Sequence, residues 1–324
     1  MTVNIVDTRQ LISAPKTKSR KNSIVELLRF LFSLWVLYFH GYVPYRNDFF
    51  SDGKLAVEFF FVLSGFYLVR SMKKYETQPV FKGLKTFLYH RFKAISTVFI
   101  IGEIFVLIYS LVFDFSYNFL FGYLWYVRDL FLAMAFFFVV KKLLKKDVYF
   151  YIFITALSIF SIFISGKIPG CAEWPGGAFR AFASMPLGML AAIIPQLPQE
   201  IKGKTVRKIS SFAAILGFIV SGAFSLWAVA SPEKTQNMIY AMVIIGFPAM
   251  LYFANQLHIN IGFLNWLGTL SFPIYAFQCI IRVIDQLGVN NATHHFIILS
   301  ALVLSFSLVT ESISKHKAKK SIKV

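Results

Sequence analysis

The stretch LLRFLFSLWVLYFHGY, residues 27–42, is aliphatic and aromatic except for Arg29 and His40. On a helix, eleven residues end about 20° past three full turns and rise about 16 Å, so both side chains project from one face. That face carries a guanidinium near one end, suited to an anion, and an imidazole near the other, suited to moving a proton. The next apolar run, KLAVEFFFVLSGFYLVR, holds Glu58 near its start, and the short connection 44–54 ties that start to the His40 end of the first run. A carboxylate beside an imidazole orients the ring and raises its basicity, which is the arrangement of a general base. Further ionisable residues inside apolar runs are Glu103, Arg128, Asp129 and Arg180. Each has a plainer reading beside the chemical one. Arg29 alone can snorkel to headgroups, Arg128 or Arg180 can pair with Asp129 to hold two helices together, and Glu103 reads as a packing group. Ser64 and Gly65 read as small residues that let another helix approach closely.

What must position these residues is a membrane bundle. Apolar residues make up 57% of the 324, mean hydropathy is +0.64 and only 15% are charged, more hydrophobic surface than one soluble core needs. About ten stretches are long enough to span a bilayer, near 24–43, 55–71, 94–113, 119–140, 148–166, 178–195, 210–230, 238–255, 263–284 and 295–313. They lack the alternation of barrel strands, and backbone amides in hydrocarbon must be satisfied within the segment, so the expected fold is all-α. With the N-terminus cytoplasmic, 25 of the 33 Lys and Arg fall in inner tails and loops, including KKLLKK at 141–146 and the C-terminal KHKAKKSIK. This pattern predicts both termini in the cytoplasm. The domain division is a cytoplasmic tail over 1–23, a transmembrane domain over 24–314 and a basic tail over 315–324.

The net charge of +18 is thereby explained as topology signals, and a nucleic-acid partner is not expected. Cys171 and Cys279 make no framework. Adjacent histidines point to different sides of a helix, so His294 and His295 read as a solvated pair rather than metal ligands, and no metal is expected. The 38 phenylalanines read mostly as lipid-facing bulk. The inner connection 72–92 is read as a loop too short to fold alone.

Arg29 and His40 match the Arg-x10-His signature of the acyltransferase 3 family of integral membrane acyltransferases, and VEFFFVLSGF at 57–66 resembles its second-helix block. LYHRFKAIS, LWYVRDLFLAM, FRAFASMPLGML and LNWLGTLSFPIYAFQ resemble further segments in order along nearly the whole chain. Two departures stand out. The basic segment has Arg91 and Lys93 without the usual Pro, and Gln278 stands where the family often has His.

The resemblance implies transfer of an acyl group, most often acetyl from acetyl-CoA, to a hydroxyl of an extracytoplasmic or lipid-linked glycan in a bacterial inner membrane. The residues are compatible with that. Arg29, Arg70, Arg91 and Lys93 gather toward the inner face, where charge-assisted hydrogen bonds can hold the phosphates of an acyl-CoA. His40, Glu58, Arg128, Asp129 and Arg180 fall in outer halves of their helices, where a sugar is received. His40 then serves as general base with Glu58 orienting it, an acyl-His intermediate being the variant. Arg128 and Arg180 face a developing oxyanion or an acidic acceptor. Two other classes remain open at this point: a secondary transporter, although no matching halves are visible and Pro248 and Pro273 interrupt helices 8 and 9 without counterparts in helices 3 and 4, and a glycan flippase or polymerase subunit, which needs no CoA site. The acceptor glycan and the oligomeric state are not legible.

Overall fold

A computed structural model describes residues 22–41, 53–113, 125–165, 176–194, 204–230, 236–257, 259–280, 284 and 292–322. Among them every regular element is helical. In chain order these are α1 (Ser23–Gly41), α2 (Gly53–Lys73), α3 (Val80–Phe113), α4 (Trp125–Leu143), α5 (Asp147–Ser165), α6 (Gly176–Ile193) and α7 (Lys204–Ala230). Then follow α8 (Gln236–Ala241), a π turn (Met242–Gly246), α9 (Phe247–Gln256), α10 (Gly262–Thr269), α11 (Ser271–Phe277), a 3-10 turn (Gln278–Ile280) and α12 (Ala292–Ile322).

Helix falls within each of the ten apolar stretches, and among the described residues six helices, α1, α2, α3, α5, α6 and α12, are long and apolar enough to cross a membrane. The apolar parts of α7 and of the α8–α9 segment, Ser211–Trp227 and Met242–Gln256, are shorter. Helix α4 carries Arg128, Asp129, Lys141 and Lys142 within 19 residues.

One departure from the sequence expectation and two proline interruptions have local causes. The basic segment before the third span is helix rather than loop: α3 starts at Val80, no proline interrupts its 34 residues, and its length of about 51 Å exceeds the hydrocarbon thickness. The α2–α3 connection shrinks to a turn, whose carbonyls at Tyr75, Glu76 and Gln78 accept hydrogen bonds from Lys142 Nζ at 2.8, 2.5 and 2.8 Å. The ninth stretch is not one helix. Pro273 cannot donate to the carbonyl four residues back, and the chain breaks between α10 and α11. Pro248, near the start of α9, removes another such bond, and the preceding turn opens to π geometry over Met242–Gly246.

The centre of the bundle is α2 against α6. A Cβ on Gly65 would lie 1.9 Å from the Met185 carbonyl oxygen, and one on Gly188 would lie 1.8 Å from that of Val62. The two backbones meet at these glycines, the role read for Gly65 from the sequence. Around this contact Phe59, Phe61, Phe87, Phe137, Phe138, Phe150, Phe247 and Phe277 are fully buried. Phenylalanine is therefore core filling here as well as lipid-facing surface.

Candidate active site

The start of α1 is fixed before any charge is placed. Asn22 caps the helix, its Oδ1 accepting from the Ile24 amide at 3.0 Å, while its amide donates to the Ala254 carbonyl at 2.8 Å. Ser23 accepts from the Ile261 amide at 2.6 Å. These bonds lay the first turn of α1 on the α9–α10 connection. One turn on, Glu26 rests against Gly268 of α10, where a Cβ would lie 2.0 Å from Glu26 Oε2. Glu26 in turn accepts from Arg29 Nη1 at 2.8 Å, an i,i+3 pair that holds the guanidinium in place.

Arg29 lines a cavity of about 350 Å³ together with Arg91, Tyr67, Ser64, Tyr126 and Ser271. Arg91 donates to Ser71 Oγ, and its guanidinium lies 5.5 Å from the centre of the Phe87 ring. The Ser64 and Tyr126 hydroxyls are 3.5 Å apart. The cavity follows α2 from Tyr67 to Val57, about 15 Å at helical rise. Tyr126 stands part-way along that wall, its ring 4.7 Å from that of Phe61, and it lies within electrostatic reach of both Arg29 and Glu58.

A second polar centre lies between α2, α4 and α6. Glu58 Oε1 accepts from Arg180 Nε at 2.5 Å and Oε2 accepts from Ser184. The side chains of Arg180 and Glu58 are only 8% and 12% exposed, so each charge depends on the other. The Arg180 guanidinium also lies 5.2 Å from the centre of the Trp125 ring. Asp129 is fully buried and accepts from Arg128 Nε at 2.7 Å and Nη2 at 2.9 Å, a fork-like pair between neighbours in sequence. Its carboxylate occupies the space that a side chain on Gly177 would take, 2.1 Å from a Cβ there.

The residues marked in the sequence thus divide. Arg29 and Arg91 meet across one cavity, and Glu58 and Arg180 pair. Arg128 pairs with Asp129 inside α4, and the ion pair of Arg180 joins α6 to α2. His40 is half-buried on the last turn of α1, its ring 5.1 Å from that of Phe39 and tilted 72° to it. Phe39 packs on Gly53, where a Cβ would lie 2.3 Å from Phe39 Cβ, so the start of α2 abuts the His40 end of α1. Arg70 lines a separate cavity, and Lys93 is exposed. Glu103 is half-buried on α3, and Gln278 is buried.

Three partners escape sequence reading. Glu26 sits at a helix start, where a carboxylate ordinarily reads as a cap-region charge. Its spacing of three from Arg29 is the signal that was there to find. Ser184 and Tyr126 carry no signal beyond lying inside apolar runs.

Several helices long and apolar enough to cross a membrane, packed around a cavity that holds two guanidinium groups, are the architecture of a multi-pass membrane protein. The chain matches the profile of the acyltransferase 3 family, described as an acyltransferase domain, over residues 22–311, and belongs to that family. It is a membrane acyltransferase. No curated protein and no solved structure matches it.

Proposed function

We propose that this acyltransferase moves an acetyl or similar small acyl group from acyl-CoA to a hydroxyl of a cell-surface or lipid-linked glycan, with His40 as general base. The observation that carries this reading is the cavity that holds Arg29 and Arg91 and follows α2 to Val57, the residue next to Glu58. Two guanidinium groups at one end suit the phosphorylated part of a donor. A lining of Ser64, Tyr126 and Leu63 suits the thin, mixed-polarity arm that carries a thioester. In this reading the Arg29 end faces the cytoplasm and the His40 end faces the acceptor.

The steps assigned to the chain are few. His40 takes the proton of the acceptor hydroxyl as its oxygen attacks the thioester carbonyl, and the C–S bond then breaks, the CoA thiolate leaving with the proton that His40 gives back. Glu58, held by Arg180 and Ser184, is assigned the orienting of His40 from the start of α2, which abuts the His40 end of α1. Arg128 and Arg180 supply positive charge for the oxyanion or for an acidic acceptor. Transfer through acyl-His uses the same groups in two steps.

The test is transfer of radiolabelled acetyl from acetyl-CoA by membranes carrying the wild type, His40→Ala or Arg29→Ala at equal expression. Labelled glycan in the wild type that is lost in His40→Ala is the expected result. If His40→Ala labels glycan as the wild type does, the base lies elsewhere. Transfer in none of the three favours the flippase or transporter class.

A further inference from the structure

A second cavity, of about 260 Å³, opens at the inner end of α2, between that helix, the end of α6 and α9. Its polar lining is Tyr67, Arg70, Lys73, Tyr252, Asn255 and Gln256. Arg70 is exposed, and neither Arg70 nor Lys73 has a carboxylate within ion-pair distance among the described residues. Tyr67 lines this cavity and the Arg29 cavity alike, and its hydroxyl lies within electrostatic reach of both Arg29 and Arg70. The two spaces therefore share one wall residue.

A neighbouring cavity of about 220 Å³ shares Lys73 and adds Lys141, Lys142 and Lys145. It is the poorer anion site. Lys141 is paired with Asp147, and Lys142 is committed to three backbone carbonyls. In the 260 Å³ cavity the cations are open, and they stand beside two carboxamides, which match the donor and acceptor edges of a base, and two phenols, which offer stacking faces.

We propose that the Tyr67–Arg70–Lys73–Asn255 cavity holds the phosphorylated nucleotide end of the donor, its pantetheine arm passing Tyr67 into the Arg29 cavity. The assignment rests on the acyl-CoA reading above and divides the donor between two spaces. Arg70 and Lys73 bind the 3′-phosphate of the nucleotide, Asn255 and Gln256 meet the base, and Arg29 and Arg91 meet the diphosphate where the arm passes Tyr67. A lipid phosphate at the same cations is the competing occupant.

The experiment is calorimetric titration of purified protein in neutral nanodiscs with CoA, dephospho-CoA and pantetheine. The wild type is expected to bind CoA about tenfold more tightly than dephospho-CoA, a difference of about 1.4 kcal/mol. Arg70→Gln/Lys73→Gln is expected to bind the two alike, and Asn255→Leu to weaken both by a similar factor while leaving pantetheine unchanged. A double variant that keeps the wild-type preference overturns the proposal. So does one that binds CoA normally and instead loses association with phosphatidylglycerol, which assigns the cations to a lipid. Absence of CoA binding by the wild type overturns the donor reading itself.

Discussion

Glu26 and Gly268 lie far apart in the chain, yet together they place one guanidinium. The carboxylate has room only because α10 presents no side chain there, and Arg29 has its orientation because the carboxylate is fixed. Glu26→Gln keeps the shape and removes the charge. It is expected to lower acyl transfer about tenfold or more, the scale of a lost charge-assisted hydrogen bond, with protein level and helix content unchanged. Gly268→Ala is expected to produce the same loss with Glu26 still present, because the added methyl displaces the carboxylate. Transfer rates for both variants beside Arg29→Ala check the chain of support: wild-type rates in Gly268→Ala would mean that α10 does not set the position of Glu26.

At the scale of elements, α2 and α6 are joined by two glycines and by one ion pair. Gly188→Leu drives a side chain into the Val62 carbonyl and is expected to cost about 1–3 kcal/mol through overpacking, seen as a lower unfolding temperature in detergent. The Glu58–Arg180 pair responds differently. Glu58→Gln or Arg180→Gln alone leaves a buried charge unmatched and is expected to cost about 3–5 kcal/mol, while the double change costs less than either single change. A double-mutant cycle on thermal unfolding measures this, and additive effects would show that the pair does not couple the helices. The same elements show how far the sequence was legible. The Arg29–His40 face follows from helical periodicity alone, and Gly65 and Pro273 announce a close approach and a break. The partner of Glu58 is 122 residues away, and no period or motif connects those positions.

For the whole molecule, the distribution of Lys and Arg predicts both termini on the cytoplasmic side. Cysteine-free protein with a single cysteine introduced in the 315–324 tail is expected to resist a membrane-impermeant maleimide in intact cells and to react after permeabilisation. Labelling in intact cells would reverse the orientation, moving the Arg29 end of the cavity away from the cytoplasmic pool of CoA.

The medium, the helical class and the two residues of the α1 face were legible in the sequence because hydropathy, charge bias and the 3.6-residue period are local properties of the chain, and the family was legible because its motifs are short contiguous stretches. Tertiary structure decided which charges neutralise which. Arg180 meets Glu58, Asp129 fills the space left by Gly177, and Arg70 lines a different cavity from Arg29. The physical reason is that a buried charge takes whatever partner the packed backbones bring within hydrogen-bond reach, and that distance is set by where helices touch.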